Sequence, residues 1–161
     1  MKKFLKEKLV KEIMTKKVYS VHMNEPVDKI LRLFADNKIM SLPVLDNDKK
    51  VCGIITQRDV DLKFEKLEAP LSINLLGSVL YLSDLDEFNL EVKKKLGQFA
   101  VDIMTAPALT INEDASLQDV LKLMDNNNVF RIPVVNSNEE LVGIVTNTDI
   151  IKELIKEGNA L

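Results

Sequence analysis

The chain has 161 residues, 46% hydrophobic and 29% charged, with a net charge of −3. This is the profile of a globular protein of one compact domain or two very small ones. No apolar run approaches about 18 residues, which argues against a membrane-spanning helix, and a lone cysteine, Cys52, rules out an internal disulfide or a thiolate metal cluster and fits a reducing, cytoplasmic setting.

The charge is uneven. Residues 1–17 hold seven lysines and two acids, while the rest of the chain is acidic, which argues against a nucleic-acid footprint. Residues 1–9 predict a basic helical arm without the continuous apolar core of a signal peptide. The arm could touch a membrane surface or an acidic partner. Docking of Phe4, Leu5 and Leu9 on the body or on a sister subunit is the simpler account.

From residue 10 the chain repeats itself: residues 10–64 align without a gap on 100–154, at an offset of 90, with twelve identical pairs. The first repeat is expected over 10–64 and the second over 100–157. Each opens on Ile-Met-Thr and runs into a β-rich stretch, "VYSV" or "ALTI". A helix follows, with Val27, Ile30, Leu31 and Phe34, or Leu117, Val120, Leu121 and Met124, at the spacing of one buried face. Asn24 and Asp114 are the expected N-caps, and Pro26 fits a first turn. "SLPVLD" and "RIPVVN" read as strands with Pro43 and Pro133 near their starts. "VCGIIT" and "LVGIVT" are almost wholly apolar, so these strands are expected to be buried on both faces. A second helix then begins after Thr56 or Thr146. The fold class is α/β (α+β), built from two β-α-β-β-α units.

Residues 65–99 predict an ordered connecting segment with a break at Gly77. Its helix is expected to be capped by Ser83, to share Leu85, Phe88, Val92 and Leu96 on one side, and to end at Gly97. It is expected to pack on the repeats and set their relative orientation.

The recurring corner Gly-Ile-x-Thr-x-x-Asp, at "GIITQRD" and "GIVTNTD", puts Thr56 and Thr146 where a strand meets a helix N-terminus. Free N–H groups and the helix dipole favour an anion there. A threonine hydroxyl can donate to phosphate, and Asp59 or Asp149, one turn on, can accept from two neighbouring hydroxyls such as a ribose diol. Thr-x-x-Asp is equally a capping-box variant that stabilises a helix by about 1 kcal/mol and binds nothing. Taken alone, the motif reads first as a cap; the two roles are compatible. Only three arginines occur, and Arg58 lies within the first corner while Arg131 lies two residues before Pro133.

In order, spacing and duplication these motifs resemble the cystathionine-β-synthase (CBS) domain, here as a tandem pair, the arrangement called a Bateman module. The resemblance covers about two thirds of the chain. It implies two repeats packed through their sheets about a pseudo-twofold axis, with clefts between them for adenosine-containing ligands. It further implies Asp59 and Asp149 as ribose contacts, and Thr56, Arg58, Thr146 and Arg131 as phosphate contacts. Val18, Tyr19, Ala108, Leu109, Leu42 and Ile132 become candidates for the adenine slot. Because the copies differ (Arg58 with Ser41, Arg131 with Thr148), the two clefts are expected to be unequal.

The expected function is a stand-alone regulatory module that binds AMP, ADP or ATP and signals to an effector protein through its geometry or assembly, as a homodimer. It uses no catalytic cofactor and no metal, and it is not an enzyme. The alternatives are a structural or protein-interaction pair with no nucleotide, and a sensor of S-adenosylmethionine or a dinucleotide. An enzyme related to IMP dehydrogenase, which carries the same paired module, would need a catalytic barrel of about 250 residues. His22 has no constellation around it, Cys52 reads as a small core residue, and Met14 and Met104 as packing groups.

Overall fold

A computed structural model of the chain describes residues 2–66, 72–75, 78–81 and 84–158. The first repeat runs α2 (Val10–Ile13), β1 (Val21–His22), α3 (Val27–Asn37), β2 (Ser41–Leu45), β3 (Val51–Thr56) and α4 (Gln57–Phe64). The second runs α6 (Ala100–Ile103), β6 (Ile111–Asn112), α7 (Leu117–Asn127), β7 (Arg131–Val135), β8 (Leu141–Thr146) and α8 (Asn147–Lys156). Before the first repeat lies α1 (Lys2–Glu7). Between the repeats lie β4 (Ser72–Leu75) and β5 (Ser78–Tyr81), paired antiparallel, and α5 (Leu85–Leu96). Each repeat holds a three-stranded sheet, β1-β2-β3 or β6-β7-β8, with its first pair parallel and its second antiparallel.

The short lead-in helices are exchanged. Val10 of α2 lies in the core of the second repeat with Ile111, Leu117, Val120 and Val145, and Ile13 and Met14 pack beside it. Ala100 and Ile103 of α6 lie in the core of the first repeat with Val21, Ile30, Leu42 and Ile55. The threonine that ends each lead-in completes the crossing. The backbone of Thr15 exchanges both hydrogen bonds with Ile144, at 2.9 and 3.0 Å, and Thr105 does the same with Ile54. This reciprocity is that of an approximate twofold.

The exchange explains two features of the repeat. Pro43 and Pro133 are the third residues of the central strands. Pro43 faces Ile54, whose N–H and C=O are both taken by Thr105, so the proline's missing donor points toward β1, which pairs only from Val44 onward. Gly53 and Gly143 are needed for a close approach. A Cβ on Gly53 would lie 2.4 Å from Met104 Sδ, and one on Gly143 would lie 2.4 Å from Met14 Sδ. The methionine of each Ile-Met-Thr therefore lies over the other repeat's last strand, the packing role expected of it.

Several local expectations are corrected. The true N-caps of α3 and α7 are Pro26 and Ser116, not Asn24 and Asp114. Ser116 accepts from Asp119 N–H at 3.2 Å and donates to its carboxylate at 2.6 Å, which holds the Asp119 pKa below the usual range. The first strands of the repeats are only two residues long. β3 and β8 are edge strands buried at alternate positions, whereas the central strands are buried at three consecutive ones. Asp84, not Ser83, caps α5, accepting from Asp86 N–H at 2.8 Å; Ser83 and Gly77 lie outside the described residues. α5 ends at Gly97, where a Cβ would lie 2.6 Å from that of Asp102. Leu96 is 71% exposed, so the expected apolar face of α5 does not close at that position.

The basic arm docks on its own chain. α1 lies against α7, with Phe4 and Leu5 on the second core, and Lys8 reaches Glu153 of α8 at 2.9 Å.

Candidate functional site

Each corner begins with a strand buried by the repeat's own core and ends at a helix N-terminus. At the second corner the Thr146 N–H and hydroxyl donate to Asp149 Oδ2 at 2.9 and 2.7 Å, and Asp149 N–H donates back to the hydroxyl at 3.3 Å. The capping box is therefore real. Among the described residues, Asp149 Oδ1 has no partner, and the carboxylate is half-buried.

Beside this corner lies a cleft of about 300 Å³ built from both repeats, at the small end of ordinary ligand sites. One wall is apolar: Val18 and Tyr19 from the stretch before β1, with Ile39 and Met40 from the loop between α3 and β2. Tyr19 is 38% and Met40 48% exposed, large apolar surfaces left facing the cleft. The rest of the lining is mainly polar and cationic: Arg131, Thr146, Asn147 and Thr148 from the second repeat, with Thr15 and Lys17 from the first. Arg131 is brought there by strand register, since it pairs directly with Thr146. Among the described residues the lining holds no carboxylate, although Asp149 lies beside it on Thr146; Arg131, Lys17 and the helix N-terminus favour an anion there. Apolar and cationic groups side by side in one cleft suit an apolar base joined to a phosphate.

The first corner has the same sequence pattern and a different state. Thr56 N–H and hydroxyl both donate to Asp59 Oδ2 at 2.8 Å. The other oxygen, Oδ1, is bound by the Lys94 ammonium of α5 and by the Thr105 hydroxyl at 3.2 Å. Asp59 and Lys94 are 4% and 5% exposed. Both Asp59 oxygens, which the resemblance assigns to a ribose, are thus engaged by the chain's own groups.

The expected site residues are distributed as follows. Val18, Tyr19, Arg131 and Thr146 converge on the open cleft, and Asp149 flanks it. Leu42 and Ile132 do not reach it. Both are fully buried core residues, because side chains alternate along a strand and their neighbours Ser41 and Arg131 take the cleft face. Ala108 and Leu109, counterparts of Val18 and Tyr19 at the 90-residue offset, lie outside this cleft, as does Arg58, which is exposed. Sequence reasoning missed Lys17, Ile39 and Met40, although their adjacency to Val18 and Ser41 was a usable signal. It also missed Lys94, for which no signal existed, since that residue lies outside both repeats. Elsewhere, burial pushes the Cys52 thiol pKa up, and its Sγ lies 3.4 Å from Val44 O, the setting of an inert thiol. His22 bonds Asn47 and the Asn24 N–H, and no metal-binding cluster occurs among the described residues.

The family model for the CBS domain matches residues 10–64 and 100–156. The chain is 36% identical over 155 residues to the uncharacterized protein MJ1426 of Methanocaldococcus jannaschii, covering 91% of each. Two further proteins of that organism, MJ1232 and MJ1404, are 30% and 31% identical, and the chain spans only 38% and 34% of their lengths. Among solved structures, CBSX2 in complex with AMP superposes with a TM-score of 0.76 at 22% identity, over 94% of this chain and 99% of that one. The CBS domain pair of MJ0100, in complex with 5-methylthioadenosine and S-adenosyl-L-methionine, gives 0.67 at 25% identity, over 92% and 97%.

Proposed function

The chain belongs to the CBS-domain family, and from that premise we propose that it is a regulatory, non-catalytic module whose cleft at the second corner takes an adenosine-containing ligand, with AMP, ADP and ATP the leading members. The observation that carries this reading is the cleft itself, where an apolar lining and Lys17 from the first repeat meet Arg131 and Thr146 of the second across the seam. In the proposed complex the adenine lies against Val18, Tyr19, Ile39 and Met40. The phosphate meets Arg131 and Lys17; the Thr146 hydroxyl joins them by turning from its bond to Asp149 Oδ2, now 2.7 Å long, and Asp149 Oδ1 takes the ribose. The AMP held by CBSX2 and the thioadenosine and S-adenosylmethionine held by the MJ0100 pair support the ligand class. Because the cleft draws on both repeats, a ligand that binds one relative placement better than another shifts the module between them.

We also propose that the module works as a homodimer in a cytoplasmic setting and reports to an effector protein. Phe130, Ile151 and Ile155 are 53–60% exposed, apolar surface that a second copy can cover. The structural reading retains one specific support: at the first corner Asp59 is wholly taken by caps and by Lys94, so that corner serves the fold.

Thermal unfolding with AMP, ADP, ATP, S-adenosylmethionine and NADH tests the proposal. A ligand at 100 times its dissociation constant stabilises by about 2.7 kcal/mol, a rise of several degrees for a chain of this size. No shift with any of the five would overturn the ligand reading in favour of a purely structural pair.

A further inference from the structure

Lys94 stands in an unusual place. It is the one fully buried side chain among those described on α5, a helix whose Phe88 and Val92 are only half-buried and whose Leu90 and Leu96 lie open. Its ammonium sits between Asp59 Oδ1 and the Thr105 hydroxyl, the latter at 3.2 Å. At the 90-residue offset these two groups are the counterparts of Asp149 and Thr15. Those residues flank and line the open cleft. At the first corner, a cation from the connecting helix therefore lies where the second corner leaves space.

The remaining attachments of α5 are also polar. Lys63 of α4 donates to Lys95 O at 3.1 Å and Gly97 O at 2.5 Å, and Lys95 donates to Glu65 O, so each helix supplies a lysine to the other's C-terminal carbonyls. Among the described residues α5 buries little apolar surface, so these bonds and the Lys94–Asp59 pair are its main attachments there. Among the described residues, Asp149 receives hydrogen bonds only from Thr146 and has no such cation.

We propose that Lys94 excludes ligand from the first corner: α5 is a lid latched by Lys94 on Asp59, and in the latched state only the second corner is open. This rests on the adenosine-ligand reading for the identity of the ligand, though not for the latch. The two corners thus share one motif, with one left for ligand and the other closed by the chain itself. Any event that draws α5 away frees Asp59 and creates a second site.

The test uses the full chain, wild type and Lys94→Met, with Lys94→Gln as a second variant that keeps one hydrogen bond to Asp59 should the first not fold. AMP is the probe, by equilibrium dialysis for stoichiometry, and hydrogen exchange of the α5 amides is followed without ligand. Expected are one equivalent of AMP bound by the wild type and two by the variant. The α5 amides of the variant should exchange about tenfold faster than in the wild type, with α7 unchanged. Two equivalents in the wild type, one in the variant, or unaltered α5 exchange would each overturn the proposal. If neither protein binds AMP, the functional reading fails on its own, and the exchange of α5 still decides for or against the latch.

Discussion

Replacing each corner aspartate by alanine separates the two corners by stability. Asp59→Ala removes the carboxylate from a lysine that is 5% exposed. Its ammonium keeps only the Thr105 hydroxyl at 3.2 Å. Removing one partner of a buried pair typically costs about 3–5 kcal/mol, and losing the acceptor of the Thr56 N–H adds about 1 kcal/mol. The lid sets a ceiling, since α5 can come away and hydrate Lys94 at small cost in apolar burial, so the lower end applies, about 3–4 kcal/mol. At about 2–4 °C per kcal/mol for a chain of this length, Tm falls by roughly 6–16 °C. Asp149→Ala removes only a cap on a half-buried helix start, about 1 kcal/mol and a few degrees. Adding Lys94→Met to Asp59→Ala removes the orphaned charge and recovers most of the loss. Calorimetry at neutral pH measures all three. Equal Tm losses for the two single variants, or no recovery in the double variant, would refute the view that the corners differ through Lys94.

Gly143→Ala places a methyl 2.4 Å from Met14 Sδ and 3.1 Å from the Thr15 carbonyl; urea unfolding should show a loss of about 2–3 kcal/mol, of which Met14→Ala in the same chain restores the part due to sulfur but not the part due to backbone. Lys8 holds the Glu153 carboxyl below its usual range, and Lys156 adds to this. A depressed carboxyl pKa contributes stability that is complete above the unfolded value and is lost as pH falls through the native one. The stability gap between wild type and Glu153→Gln should therefore be constant from about pH 6 to 9 and close below about pH 4.5, by urea titration. Arg131→Ala should weaken AMP binding at least tenfold in calorimetric titration, the scale of one charge-assisted phosphate contact, about 1.5–3 kcal/mol, and should leave Tm nearly unchanged because Arg131 is half-buried at a strand end.

Much of this protein was legible in its sequence because the relevant information is local and duplicated. The i, i+3, i+4 spacing of Val27, Ile30 and Leu31, and of Leu117, Val120 and Leu121, determined the long helices. Thr-x-x-Asp determined the caps of α4 and α8, and the 90-residue offset determined that whatever one repeat does locally the other does too. Val18, Tyr19, Arg131 and Thr146 were legible as candidates, and the structure brings these four to one cleft. Leu42 and Ile132 were misplaced because strand alternation, decided by which face the core takes, sends them inward. The exchange of α2 and α6 between the repeats, the methionine-over-glycine contacts that enforce it, and the pairing of Lys94 with Asp59 were decided only by tertiary structure. Each joins segments 35 to more than 100 residues apart, and no periodicity along the chain records which of two corners sharing one motif a connecting helix will lie across.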